Sequence, residues 1–347
     1  MRPNAGNPSF IGIREVARLA GVSTATVSRV INHPELTSPE IRARVKAVIE
    51  EQRYVPNQAA RSIFSHSTDS VAIFIYDMSN PFFIQLIQEL NRIAFAEKHA
   101  LLICDTSNNA AKEHEYLDYC TATRVKSIIL TEGFDFVANE ENPRVPLVMF
   151  DRSGLNKWAS VHSDNAESVS RAVYYLYNLG HRYIACAAPD MGLTSIRARR
   201  DGFQAAAEEL GVFREMYVYR EPVPLDVETG YKALNYYLTL PKPPTAIVCA
   251  NDMIAQGVLM RARELHIEIP RSLSVIGFDG VPSPFYLQPL TTIKQNITAI
   301  AETLFHLCTH PSGQTRHITI PTEFIYGSTC SYCEDALSAA GEERRKW

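Results

Sequence analysis

Residues 13–63 read IREVARLAGVSTATVSRVINHPELTSPEIRARVKAVIEEQRYVPNQAARSI. Within them Ile13, Val16, Ala17 and Ala20 recur at i, i+3, i+4 and i+7, the spacing of one helix face, and Gly21 stops that helix. Ser23 is placed to cap a second helix running to about Ile31, with Val27, Val30 and Ile31 inward and Thr24, Ala25, Ser28 and Arg29 outward. A third helix opens with Ser38 as N-cap and Pro39 at its first position, and buries Ile41, Val45, Val48 and Ile49. A short glycine-containing turn between two helices can set the second in a DNA major groove with its N-terminal residues at base edges. Thr24, Ala25 and Arg29 hold those positions. A guanidinium can donate two parallel hydrogen bonds to a guanine, and a Thr or Ala methyl packs on a thymine methyl. A plain three-helix bundle would also turn a Thr and an Arg outward, so the pattern alone leaves DNA binding and a solvated face equally open.

Charge is distributed unevenly around this module. Residues 1–66 hold nine basic and five acidic side chains, so the module carries +4 and the remaining chain −8 of the total of −4. A locally basic head on an acidic body suits a polyanion. The hydrophobic share of 46% and charged share of 21% are those of a globular protein, and no apolar run reaches the length of a membrane span. The first ten residues lack a secretory apolar segment, which predicts a cytoplasmic protein without a membrane partner. Three of the seven cysteines, Cys104, Cys186 and Cys249, lie inside apolar runs as small hydrophobes. Cys330 and Cys333 form a CxxC, but no second ligand pair accompanies it, so no metal site is expected.

From residue 71 short unbroken apolar runs (71–75, 100–104, 127–130, 146–150, 183–187, 216–219, 246–250 and 274–278) alternate with helical patterns (83–98, 168–179, 199–210, 230–240 and 253–265). Such strands are covered on both faces and imply crossover units. The expected fold is α/β: an all-α helix-turn-helix head followed by eight strands in two doubly wound parallel-sheet lobes. In such sheets ligands bind beyond the strand ends, which nominates Asp77, Asn80, Glu132, Asp151, Arg152, Asp190, Asn251, Asp252 and Asp279. Carboxylates, amides and an arginine beside Phe82 and Phe83 suit a hydroxyl-rich ring such as a sugar. Asp151, Asp164, Asn165 and Asp252 serve equally well as caps and loop braces.

The stretch 13–63 resembles the head and hinge of the lactose-repressor (LacI–GalR) family, and the likeness continues to about Gly327. It is carried by VARLAGVSTATVSRVIN (16–32), YVPNQAARSI (54–63), SNPFF (79–83), RRDGF (199–203), ANDMIAQG (250–257), VIGFDG (275–280) and LTTIKQN (290–296). The resemblance implies a homodimeric repressor on a palindromic double-stranded DNA operator, controlled by a sugar-like or nucleoside effector between two periplasmic-binding-protein-like lobes. It assigns DNA contact to Ser23, Thr24, Ala25, Thr26, Arg29, Asn57, Arg61 and Ile63, with Lys46 and Arg61 on phosphates. It assigns effector contact to Phe82, Phe83, Arg152, Ser195, Arg199, Asn251 and Asp279, with Glu132 and Gln295 joining them. Ile63 replaces the family's usual minor-groove Leu, Phe64 stands where a polar residue is usual, and Glu132 where a small one is.

The implied divisions are a head at 11–56, a hinge helix and linker at 57–69, one lobe from 70–166 with 295–322, a second from 167–294 with 323–330, and a mobile tail at 331–347. Chain crossings between lobes are expected near Asn165, Gln295 and Thr322. No catalytic motif (GxGxxG, GxxxxGK[ST], HExxH or GxSxG) occurs, so neither an enzyme nor a cofactor is expected. The alternatives are a family member controlled by a protein corepressor and a solute-binding protein.

Overall fold

The computed structural model describes residues 11–55, 67–131, 144–151, 158–190, 192–212, 217–281, 288–310 and 316–333. The chain divides into two compact units, residues 1–68 and 69–347.

In the first unit, α1 (Ile13–Ala20), α2 (Thr24–Asn32) and α3 (Pro39–Glu51) enclose a small core of Val16, Ala17, Ala20, Val27, Val30 and Val45. Gly21 ends α1 in the left-handed conformation at φ 62°, and its N–H closes the last turn of α1. Ser23 and Ser38 cap α2 and α3 by accepting from the backbone N–H three residues on.

The second unit contains two six-stranded sheets. The first has the order β11-β5-β4-β3-β1-β2, from β1 (Ser70–Ile75), β2 (Ala100–Asp105), β3 (Ser127–Leu130), β4 (Leu147–Phe150), β5 (Ala159–Ser163) and β11 (His317–Ile320), all parallel. Alternation along β1 sends Val71, Ile73 and Ile75 to one face, against α4 (Pro81–Ala96) and α10 (Ile297–Thr309). Ala72 and Phe74 go to the other, against α5 (Ala110–Thr123). The second sheet has the order β12-β10-β9-β8-β6-β7. Its strands are β6 (Ile184–Ala187), β7 (Tyr217–Tyr219), β8 (Ala246–Cys249), β9 (Ser274–Asp279), β10 (Thr291–Lys294) and β12 (Glu323–Ile325). All its pairings are parallel except β10 with β12.

Around that sheet lie α6 (Asn165–Asn178), α7 (Thr194–Glu209), α8 (Val227–Leu238) and α9 (Asp252–Glu264). The chain passes between lobes three times, from β5 into α6, from β10 into α10, and from β11 into β12.

Twelve strands therefore stand among the described residues where eight were expected. The additional ones, β5 (ASVHS), β10 (TTIK), β11 (HITI) and β12 (EFI), are short and carry polar residues, so no unbroken apolar run marks them. The expected mobility of the tail fails at its start. Ser331 donates its backbone N–H to Ser274 and its hydroxyl to Pro270 O, and Cys333 N–H bonds Leu179 O with its side chain buried. Residues 334–347 lie outside the described residues.

Candidate functional site

In the head, Ser23, Thr24, Ala25 and Arg29 are exposed along α2, and Thr26 is half-buried with its hydroxyl 2.8 Å from that of Ser23. Two other arginines of this unit, Arg18 and Arg42, are engaged. Arg18 is chelated by Glu15, and Arg42 donates to the carbonyls of Pro34 and Thr37, the latter at 3.1 Å. Arg29 makes no side-chain hydrogen bond or ion pair among the described residues, so its five donors are free for a ligand. Asn57, Arg61, Ile63 and Phe64 lie outside the described residues.

In the second unit, the strand ends face each other across a cleft. Its walls are Tyr76, Asn80, Phe82, Phe83, Phe150, Asp151, Ser195, Ile196, Arg199, Leu225, Asn251, Asp279 and Gln295. Phe82, Phe83, Ser195, Arg199, Asn251, Asp279 and Gln295 thus come together as nominated; Glu132 and Arg152 lie outside the described residues. Tyr76, Phe150, Ile196 and Leu225 were not nominated, because their side chains read as core, and they do pack on the cores of the two lobes.

Arg199, 4% exposed, is the centre of this arrangement. Its Nε donates to Asn165 Oδ1 at 2.8 Å and its Nη1 to Ala250 O at 2.6 Å, while Nη2 stands 3.8 Å from Asp151 Oδ2. Asp151 Oδ1 accepts from Asn165 at 3.1 Å, and Asp151 O accepts from Thr194 of the opposite lobe at 2.9 Å. Across the cleft, Asp279 accepts from Gln295 Nε2 at 2.8 Å, and Gln295 Oε1 accepts from Ser163 at 2.6 Å. Asp151 and Asp279 both sit at positive φ, 55° and 112°. Non-glycine residues held there are strained, and such strain gathers at ligand sites.

Burial pushes the Asp279 carboxyl up to about 6, against the lowering pull of Arg199 and Gln295. Burial and the neighbouring Asp279 hold the Asp252 carboxyl well above its ordinary range, although Thr292 and Val281 N–H donate to it. Asn251 is largely structural: its Oδ1 caps α9 at Ile254 N and its amide nitrogen holds Leu225 O. Phe82 is stacked on Phe150 with ring centres 5.9 Å apart, and Tyr76 meets Phe83 edge-on at 5.1 Å.

The cavity among these groups measures about 30 Å³, space for a water or two, so a sugar-sized molecule requires the lobes to part. An open groove of about 1400 Å³ beside the crossings shares Gln295 with it. The smaller cavity is the candidate site, because the buried Arg199, Asp151 and Asp279 and several aromatic faces converge there, whereas Asp252 is the one buried charge lining the groove among the described residues. No grouping of three metal-ligating side chains occurs among the described residues, and no described helix is long and apolar enough to cross a membrane. Burial pushes the Cys330 thiol of the CxxC up to about 11.

The profile described as "Bacterial regulatory proteins, lacI family" matches residues 12–57, and that described as "Periplasmic binding protein-like domain" matches residues 173–330. The HTH-type transcriptional repressor PurR of Pasteurella multocida is 32% identical over 82% of this chain and 86% of its own length. The crystal structure of the lac repressor dimer bound to operator and the anti-inducer ONPF has the same fold, with a TM-score of 0.80 at 23% identity over 92% of this chain and 99% of that one. A LacI family regulator from Enterococcus faecium with bound ribose superposes with a TM-score of 0.67 at 22% identity, over 76% of this chain and 99% of that one. A helix-turn-helix head with a free arginine on its second helix, a two-lobed body with a charged cleft, and a repressor at 32% identity along most of the chain agree on one assignment. This protein belongs to the lacI family of bacterial regulatory proteins and is a DNA-binding transcriptional repressor.

Proposed function

We propose that this repressor reads a palindromic operator as a homodimer and that a neutral, hydroxyl-rich small molecule, a sugar or a nucleoside, gates it from the cleft. The observation that carries the effector class is the charge balance of the site. Asp151 and Asp279 face one buried cation, Arg199, whose donors Asn165, Ala250 O and Asp151 already engage. An anionic ligand would enter against this excess of carboxylates, whereas hydroxyl donors satisfy them. Phe82, Phe83 and Phe150 offer apolar faces to a ring. A relative of the same fold holds ribose, which agrees with this class.

Two features support the dimer. Phe95 is 83% exposed, and Ile84 and Ile103 continue that apolar face along α4 and β2. Met260 and Leu265 extend an exposed apolar strip along and just past α9. In the dimer, Thr24, Ala25 and Arg29 of each head read one half-site, and Ser23 and Thr26 support them. A ligand that opens or closes the cleft changes DNA affinity only by its different affinity for the two lobe arrangements.

Selection of bound duplexes from a random pool, followed by calorimetric titration with sugars, nucleosides and their phosphates, tests this reading. Saturable binding of an unphosphorylated ligand that alters operator affinity is the expected result. Binding confined to a phosphorylated ligand would overturn the neutral-effector class.

A further inference from the structure

Five parallel strands of the first sheet are each preceded by a loop at the same end as β1, the end at which the chain arrives from the head through Asp69. The register draws these loops together. Ala100 N–H bonds Asp69 O, Lys126 N–H bonds Ser70 O, Ile128 N–H bonds Pro146 O, and Ser160 N–H bonds Arg316 O. Cations occupy four of these loops: Lys98 before β2, Arg124 and Lys126 before β3, Arg144 before β4, and Arg316 before β11. Lys98, Arg124, Arg144 and Arg316 are exposed, and Lys126 is half-buried with its Nζ 3.0 Å from His99 Nε2. Among the described residues, only Asp69 and Glu97 bring acid to this end. At the opposite strand ends the charge reverses, with Asp77, Asp105, Asp151 and Asp164.

Helix termini explain part of this pattern. Lys98 and Arg124 follow the C-terminal turns of α4 and α5 in the left-handed conformation, where a cation complements the helix dipole. Lys126, Arg144 and Arg316 stand directly ahead of strands and have no such role. The second sheet gives a contrast. At its starting end Arg182 is stacked on Tyr177 and bonds two carbonyls, Lys242 covers Tyr183, and Arg271 pairs with Glu268. No ion pair among the described residues engages Lys98, Arg144 or Arg316. The rim is therefore a row of exposed positive charge on a body of net −8, placed where the tether to the DNA-reading head begins.

We infer that this rim, Lys98, Arg124, Lys126, Arg144 and Arg316, is a second DNA-contacting surface that takes the phosphodiester backbone. Its contacts are independent of sequence: they add affinity and salt dependence to what the head reads and discriminate no base. The inference rests on the DNA-binding function and extends it from the head to the body.

The test uses the full chain and a labelled random-sequence duplex of about 40 base pairs, titrated between about 50 and 200 mM salt. Each phosphate contact contributes a slope of about 0.9 to the plot of log affinity against log salt. Lys98→Gln/Arg144→Gln/Arg316→Gln is expected to lower the slope by about 2–3 and to weaken binding at low salt by about tenfold or more. Arg182→Gln/Lys242→Gln/Arg271→Gln removes the same charge from the other lobe and is expected to leave the slope within about 0.5 of wild type. An unchanged slope in the first triple, or an equal loss in the second, overturns the inference while leaving DNA binding by the head intact. A wild-type chain that binds no duplex overturns both. Should the first triple fail to fold, Arg316→Gln alone is expected to lower the slope by about 0.9, and no loss there overturns the inference.

Discussion

The guanidinium carbon of Arg199 lies 3.6 Å from the centre of the Phe278 ring. Phe278 and Asp279 are the last two residues of β9, and strand alternation places the ring in the core and the carboxylate at the cleft. Arg199, reaching over from α7, covers the ring with its face and engages Asn165, Ala250 and Asp151 with its edge. One side chain thus closes the core of the second lobe and supplies the only buried cation to the two cleft carboxylates, Asp151 and Asp279, among the described residues.

Arg199→Ala is expected to destabilise the second unit by about 3–5 kcal/mol, because it strands buried carboxylates without their cation. Arg199→Lys keeps the charge but loses the planar stack and the fork of donors, so it recovers less than half of that loss. Urea unfolding of the three proteins measures both; a cost under about 1 kcal/mol for the alanine variant would show that the cluster is solvated.

Asp279 makes stability depend on pH in a direction opposite to ordinary paired carboxylates. Its folded value of about 6 stands above an unfolded value near 3.9. In that window the native state binds more protons than the unfolded one, so the favourable contribution is complete below about 3.9 and is lost as pH rises through about 6. The loss is on the order of 3 kcal/mol. Asp252 is raised in the same direction and is partly relieved when Asp279 is neutral. The Asp279→Asn variant is expected to gain on wild type by that order between pH 4 and pH 7, as read from denaturation midpoints across the range. A parallel pH course for the two proteins would refute it.

The helices over the second sheet meet at glycines. A Cβ at Gly257 would stand 1.9 Å from Val227 O, and one at Gly230 the same distance from Ile254 O, both rigid backbone atoms. Gly257→Ala must therefore push α8 from α9, and an overpacking cost of at least about 2–3 kcal/mol is expected in equilibrium unfolding. Gly12→Ala, where nothing lies within 4 Å, serves as the matched control and is expected to change stability by less than about 0.5 kcal/mol.

Much of this architecture is legible in the chain because doubly covered strands must be apolar throughout: SVAIFI of β1 and AIVC of β8 admit no other placement. The edge and crossing strands are not, since His162, Thr319 and Lys294 owe their places to pairing partners distant in sequence. Arg199 and Asp279 were recognisable because each sits inside a contiguous motif. Asn165 looked like a cap and proves to bind Arg199 and Asp151 at once, a role that only the approach of α7 to the end of β5 creates. Asn251 shows the reverse, a nominated ligand contact whose amide holds the Leu225 carbonyl and caps α9.

Ser23 and Arg29 lie on the same helix and are expected to fail differently. The Ser23 hydroxyl accepts from Thr26 N–H at 3.1 Å, so Ser23→Ala removes a cap and lowers head stability by about 1 kcal/mol. Its effect on DNA affinity then comes through folding and is the same for every sequence. Arg29 supports nothing in the head, being exposed and without a side-chain partner among the described residues. Arg29→Ala is therefore expected to leave the melting temperature unchanged while costing about 1–3 kcal/mol on the selected operator. The loss should be confined to one base pair of each half-site, so that duplexes substituted there bind wild type and variant alike. Titration of both variants against the operator and its single-base substitutions separates the two outcomes. Equal weakening by Arg29→Ala on every duplex would assign the guanidinium to a phosphate rather than to a base.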